Sequence, residues 1–198
     1  MTTSKKRAQD RRSELLDCAR QILLSEGARA LTLRGIATAV GLKLASIQYY
    51  FPTHAALITA LVEDRLEQQQ AAIQRLSATT VGDARQTLDA VLRFWTLDSD
   101  DTADDSRLDV QFWALAETDG TAKHALNRYH ELYVTFLAEL IRSALGITRR
   151  RATARAVAIA SLLEGSVLFV DLSDESAPGY HRYQDLYRSV CLLAYGEG

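Results

Sequence analysis

The histidines and cysteines of this 198-residue chain lack the spacing that metal binding or nucleophilic catalysis requires. Cys18 and Cys191 lie far apart, and no nucleophile-elbow, phosphate-loop or dinucleotide-binding glycine motif is present. The histidines are equally scattered, at His54, His124, His130 and His181. We therefore expect a protein that is not an enzyme and that holds no cofactor and no metal ion.

The chemistry that remains is molecular recognition, and the charge distribution indicates where it lies. Residues 1–60 carry nine basic and four acidic groups, a net charge of +5, whereas residues 61–198 carry 14 basic and 21 acidic groups, a net charge of −7. The first sixty residues can approach a polyanion that the remainder of the chain would repel. The weak overall charge of −2 hides this asymmetry.

Hydrophobic periodicity predicts three short helices in this basic segment, at about residues 6–25, 33–40 and 44–50. Gly27 and Gly41 follow the first two helices, Thr32 is a suitable N-cap for the second, and Pro52 closes the third. A glycine turn between two short helices is typical of a helix-turn-helix motif, whose second helix enters the major groove of DNA.

The rest of the chain is also predicted to be helical, which makes the fold all-α. A long helix at 53–77 connects the basic segment to helices at about 83–97, 105–118, 121–145, 149–171 and 180–195, with an acidic loop at 98–105. The polar N-terminus and the interrupted apolar stretches favour neither a signal peptide nor a spanning helix. Together with the isolated cysteines, this favours the cytoplasm, with no membrane partner.

The segment LTLRGIATAVGL, residues 31–42, and the segment KLASIQYYFPTHAAL, residues 43–57, resemble the N-terminal domain of the TetR family of bacterial transcriptional regulators. Turn, core and phosphate-contact positions match at fixed offsets, over about the first sixty residues. The resemblance implies a helix-turn-helix DNA-binding domain at residues 1–55. It also implies a helical effector-binding and dimerisation domain at residues 56–198, joined to the first domain by the long helix.

The resemblance further implies a set of DNA-binding residues. They are Arg34 from the second helix, Lys43, Leu44, Ala45, Gln48 and Tyr49 facing the groove, Ser46, Tyr49 and Tyr50 on phosphates, and His54 where the family usually has a phosphate-binding lysine. The chemistry agrees, because Gln can pair with adenine and hydroxyl groups suit phosphate oxygens. Leu44 is also compatible with the core, and the departures at Lys43, Gln48 and His54 mean that the operator sequence cannot be transferred.

In the second domain the resemblance implies a ligand pocket and a dimer interface. The predicted pocket residues are mainly aromatic, as in most ligand cavities: Trp95, Gln111, Phe112, Tyr129, Tyr133 and Phe169. Aromatic side chains at helical spacing are also typical of a packed core, so the pocket and the core interpretations both stay open. The predicted interface residues lie on the last two helices, the first of which is apolar nearly all round: Leu163, Val167, Tyr183, Leu186, Tyr187 and Val190.

Glu164 is the most suggestive polar residue in this apolar segment. Its carboxylate can meet a cationic or hydrogen-bonding ligand, or it can pair across a dimer interface with Arg155 or Arg188.

We therefore expect a homodimeric regulator, a repressor that binds a palindromic operator in double-stranded DNA and leaves it when an unidentified small-molecule effector binds. The alternative is a dimeric DNA-binding regulator without an effector. An enzyme or carrier has only the aromatic cluster in its favour.

Overall fold

A computed structural model describes residues 3–79, 83–97, 102–167 and 182–196 of the chain. Within these ranges it contains nine α-helices and no strand, which confirms the all-α prediction. The helices are α1 (Thr3–Glu26), α2 (Leu33–Ala39), α3 (Leu44–Tyr50), α4 (His54–Thr79), α5 (Ala84–Thr96), α6 (Thr102–Thr118), α7 (Gly120–Leu145), α8 (Arg149–Val167) and α9 (Arg182–Tyr195).

The helix bounds differ from the prediction mainly around the acidic segment. Helix α6 begins at Thr102 rather than near residue 105, so the second half of the predicted loop at 98–105 is helical. Acidic residues favour the first turn of a helix as well as a loop, and the sequence pattern does not separate the two. The rest of that loop, and the predicted end of α8 at residue 171, lie outside the described residues.

The described chain forms two compact units, each made of two stretches of sequence. Unit 1 comprises the described residues up to Glu67 together with Asp104–Tyr129, and unit 2 comprises the described residues within 68–103 and 130–198. Helices α4 and α7 each contribute residues to both units. The functional boundary expected at residue 55 stays a prediction.

The core of unit 1 is formed by the apolar faces of six helices. Leu15, Ile36 and Ile47 are fully buried, and they represent α1, α2 and α3. Helices α4, α6 and α7 add further apolar side chains, including Leu57, Leu61, Leu108, Phe112, Leu115 and Leu126. One ion pair also joins α1 to α4, because Arg20 NH1 lies 2.8 Å from the Asp64 carboxylate. The helix-turn-helix region therefore shares one core with α6 and the first part of α7.

The core of unit 2 joins α5, α7, α8 and α9. Its buried members include Leu88, Leu92, Leu137, Ile141, Ala156, Ile159, Val190 and Ala194. Arg155 of α8 donates hydrogen bonds from NH1 to the carbonyl oxygens of Ala194 and Tyr195, at 2.8 and 3.0 Å. These carbonyls end α9, where a positive charge also offsets the negative end of the helix dipole.

Among the described helices, none combines the length and the apolar character that crossing a membrane demands.

Gly41 lies in the turn between α2 and α3 and adopts a backbone conformation that few other residues tolerate. Gly41 has a φ of +67° with nothing within 4 Å of an added Cβ, so an alanine there would fit but would adopt a left-handed conformation. Gly41→Ala should lower the free energy of unfolding by about 1–2 kcal/mol, measured by denaturant titration. Gly120→Ala is the matched control, because this helical glycine is equally uncrowded and needs no positive φ. Equal effects of the two substitutions would contradict this account.

Candidate nucleic-acid interface

The helix-turn-helix region is fixed by local hydrogen bonds at both ends of α2. The Thr32 hydroxyl accepts a hydrogen bond from Gly35 N at 2.9 Å, as an N-cap should. An added Cβ at Gly35 would lie 3.1 Å from both Ala30 O and Thr32 Oγ1, so the cap packs closely on this glycine. At the other end, Leu42 N donates to Ala37 O at 2.9 Å and turns the chain into α3.

Helix α3 divides into a buried side and an exposed side. Ile47 is fully buried in the core of unit 1. Ala45, Gln48 and Tyr49 are exposed, and Tyr49 keeps 78% of its surface open to solvent. Positions three and four apart lie on one face of a helix, so these three side chains form a continuous surface. An exposed tyrosine offers both an apolar ring and a hydroxyl group to a binding partner.

The other predicted DNA-binding residues differ in their exposure. Arg34 and Lys43 are exposed, and no side-chain hydrogen bond caps α3 at Lys43. Leu44, Ser46 and Tyr50 are half-buried. The half-burial of Leu44 leaves its core and contact interpretations both open.

Tyr50 packs edge-to-face against Tyr49, with the ring centroids 5.0 Å apart. Since Tyr50 is half-buried while Tyr49 is exposed, this contact holds the exposed ring at the end of α3. The Thr53 hydroxyl accepts a hydrogen bond from Ala56 N at 3.0 Å and caps the start of α4 next to it. A capped helix N-terminus suits a phosphate group.

His54 has a structural role that the sequence reasoning missed. Its Nε2 atom lies 2.9 Å from the carbonyl oxygen of Leu31, and since a carbonyl only accepts, Nε2 carries the proton. Its Nδ1 atom lies 3.8 Å from Oδ2 of Asp119, and Oδ1 of Asp119 caps α7 by accepting from Thr121 N and Ala122 N. His54 therefore links the start of α4 to the turn before α2 and to the turn before α7. Its predicted phosphate contact stays a prediction.

The predicted pocket residues do not all belong to one unit. Phe112 and Tyr129 are buried in the core of unit 1, and Gln111 is half-buried in the same unit. Trp95 and Tyr133 belong to unit 2, where their rings meet at 60° with centroids 4.8 Å apart. Phe169 lies outside the described residues. For Phe112 and Tyr129 the core interpretation is the one that the packing supports.

The predicted interface residues differ in their exposure. Val190 is fully buried within unit 2, so it has no surface to offer a second chain. Leu163 and Leu186 are half-buried, as is Tyr187. The side chains of Val167 and Tyr183 lie outside the described part of the chain. Helical spacing predicts an apolar stripe but not which part of the stripe a neighbouring helix covers, and here the neighbouring helices cover Val190.

Tyr187 is tied into unit 2 by its polar end. Its hydroxyl donates a hydrogen bond to Oδ1 of Asp89 at 2.6 Å. Burial, and then this hydrogen bond, raise the pKa of the Tyr187 phenol, so it stays a neutral donor. Burial also raises the pKa of the neighbouring Cys191 thiol, which disfavours the reactive thiolate.

Two exposed apolar side chains on α8 and α9 were not predicted from the sequence: Val157 and Leu192 are 47% and 66% exposed. Both lie on the helices that were predicted to dimerise. A signal for Val157 was present in the sequence, because α8 was recognised as apolar nearly all round.

The described side chains contain no group of three or more His, Cys, Asp or Glu that is placed to hold a metal ion.

The architecture is shared with known transcriptional regulators. The crystal structure of a TetR transcription regulator from Haloarcula marismortui matches with a TM-score of 0.77 and 16% identity, over 94% of this chain and 97% of that one. A TetR transcriptional regulator from Legionella pneumophila matches with a TM-score of 0.71 and 19% identity, over 96% and 97%. The chain therefore has the TetR-family fold, which confirms the resemblance seen in its first sixty residues.

Two further relatives are similar to this chain. A Saccharomonospora viridis protein, solved in complex with choline, matches with a TM-score of 0.72 and 16% identity, over 96% of this chain and 97% of that one. In sequence, the chain is 26% identical over 150 residues to an uncharacterized HTH-type transcriptional regulator of Xanthobacter autotrophicus, which covers 75% of this chain and 72% of the relative. No protein-family model matches the chain.

The link made by His54 can be tested by unfolding. His54→Ala removes the hydrogen bond to the Leu31 carbonyl and should lower the free energy of unfolding by about 1 kcal/mol, measured by denaturant titration. His124→Ala, a change at an exposed histidine of unit 1, should stay within about 0.5 kcal/mol of the parent protein. If the two variants unfold alike, the link contributes nothing to stability.

Proposed function

We propose that this chain is a transcriptional regulator of the TetR type that binds a palindromic operator as a homodimer, represses from it and leaves it when a small-molecule effector binds. The observation that carries the DNA-binding part is the exposed face of α3, where Ala45, Gln48 and Tyr49 stand beside Lys43. A seven-residue helix that offers an amide and an aromatic ring to solvent, with a cation at its N-cap, is suited to reading base edges.

The charge distribution supports the same function. The net charge of +5 over residues 1–60 favours association with DNA, and the net charge of −7 over the rest of the chain opposes non-specific attachment elsewhere. A regulator of this kind acts in the cytoplasm.

The dimer part of the proposal is supported by the surface of α8 and α9. Val157 and Leu192 expose apolar area, and Ser161 lies one turn beyond Val157 on the exposed side of α8 with a side chain small enough to allow close approach. A second copy of the chain can cover both side chains through a two-fold interface. Two recognition helices related by such an axis read half-sites about 34 Å apart, one turn of DNA.

Effector control requires that binding of the effector changes the affinity of the helix-turn-helix region for its operator. Helices α4 and α7 each belong to both compact units, which makes them the proposed path. A coupling free energy of about 1–3 kcal/mol changes operator affinity by roughly 5- to 150-fold. The choline complex of the Saccharomonospora viridis protein supports the idea that this fold accommodates a small organic ligand.

Selection of bound sequences from random double-stranded DNA tests the main proposal. We expect a palindrome to be enriched. Gln48→Ala should lose about 1–3 kcal/mol of discrimination at one base pair of each half-site, and Arg34→Ala should reduce the slope of log K against log salt by about one. Gln70→Ala, at an exposed glutamine of α4 in unit 2, is the control and should leave both quantities unchanged. Failure to enrich any palindrome would contradict the proposed operator binding.

The dimer is tested by molar mass in solution, measured by light scattering. The double variant Val157→Asp, Leu192→Asp places two charges in the proposed interface and should convert a dimer into a monomer, because burying unpaired charge is costly. Leu132→Asp is the control, since Leu132 is 40% exposed on α7, outside the proposed interface. A parent protein that is monomeric at micromolar concentration would contradict this part of the proposal.

A further inference from the structure

Unit 2 contains a half-buried carboxylate that the DNA-binding and dimer surfaces do not use. Glu164 lies on α8, and its Oε1 atom is 3.6 Å from Nε2 of His130 on α7. The two side chains are 25% and 23% exposed. Within the chain, Arg155 instead binds the carbonyls that end α9, and Arg188 lies 3.3 Å from Asp185. Glu164 therefore places a carboxylate beside His130 of α7.

Two aromatic rings belong to the same compact unit as this pair. Tyr133 follows His130 by three residues, so both side chains lie on the same face of α7. The Tyr133 ring meets the Trp95 ring of α5 at 60°, with the centroids 4.8 Å apart. Helices α5, α7 and α8 thus hold two differently oriented rings and a carboxylate within one compact unit, with His130 and Tyr133 on the same face of α7. This is the composition of an ammonium-binding site, in which ring faces and an acid attract the cation.

The indole nitrogen of Trp95 supplies a third requirement for the ligand. Nε1 of Trp95 is buried and has no hydrogen-bond partner among the described residues. An indole N–H only donates, and leaving a buried donor unpaired costs about as much as a lost hydrogen bond. A ligand oxygen at this position would relieve that cost.

From these contacts we propose that the effector is a small organic ammonium ion that also carries an oxygen acceptor. The ammonium group lies against the rings of Trp95 and Tyr133 and beside Glu164, and the oxygen accepts the hydrogen bond from Trp95 Nε1. An anionic effector would be repelled by Glu164, and a purely apolar effector could not accept the hydrogen bond that the indole N–H of Trp95 can donate. This inference rests on the proposed function, because it names the ligand class of that regulator.

Isothermal calorimetry on the full chain tests the ligand class. The probes are choline, ethanolamine, tetramethylammonium and 3,3-dimethylbutan-1-ol, which is the uncharged isostere of choline. Choline should bind at least about tenfold more tightly than its isostere, because only the cation gains from the rings and the carboxylate. Binding by none of the three ammonium compounds, or equal binding of choline and its isostere, would overturn the inference.

Matched variants locate the site. Glu164→Gln removes the charge at constant shape, and Trp95→Phe keeps a ring but removes the N–H; each should weaken choline binding by about tenfold. Glu131→Gln and Trp113→Phe are the controls, at exposed residues on α7 and α6, and should bind choline like the parent protein. If Glu164→Gln binds choline as well as Glu131→Gln does, the site is not the one named here.

The proposed function and the proposed ligand class can be contradicted independently of each other. Operator selection is performed without any ligand, so an enriched palindrome together with no ammonium binding overturns only the ligand class. If choline binding depends on Glu164 but the protein enriches no palindrome, the result supports the proposed ammonium site and contradicts the proposed function as a DNA-binding regulator.

Discussion

The predicted reading of DNA by α3 depends on the packing of Ile47 in the core of unit 1. Ile47 is the fully buried residue of α3, a helix of seven residues. A helix this short is not stable alone in water, so α3 takes its conformation from the core of unit 1. Gln48 and Tyr49 extend from the same turn on the other side, and their directions are set by how Ile47 packs. A precise recognition surface thus rests on one well-packed apolar side chain.

The structure agrees with the sequence wherever the signal acts over a few residues. Thr32 caps α2, Gly41 adopts the positive φ that ends it, and α3 ends before Pro52. Each of these effects involves atoms within about one helical turn of each other, so the residue types alone reveal them. The nine helices follow for the same reason, because an apolar stripe of helical period is a local property.

Contacts between distant positions could not be predicted in this way. His54 binds the Leu31 carbonyl and approaches Asp119, yet nothing near His54 in the sequence indicates either partner. Periodicity also fails to show which neighbour covers an apolar face. Aromatic composition placed Phe112 and Trp95 in one predicted pocket list, whereas the structure packs them in different compact units. At Glu164 the sequence leaves a ligand and an ion pair both open, and only the packing of α7 against α8 supplies His130 as its neighbour.

Gly35 within α2 and Gly41 just after it are constrained for unrelated reasons, so different substitutions should be tolerated at the two positions. At Gly41 the backbone angle decides, so asparagine, which tolerates the left-handed region, is an accessible replacement. At Gly35 space decides, because an added Cβ would crowd Ala30 O and the Thr32 hydroxyl. A side chain at position 35 therefore requires both the Thr32 hydroxyl and the backbone carbonyl of Ala30 to give way, so a substitution at position 32 alone would not make room for it.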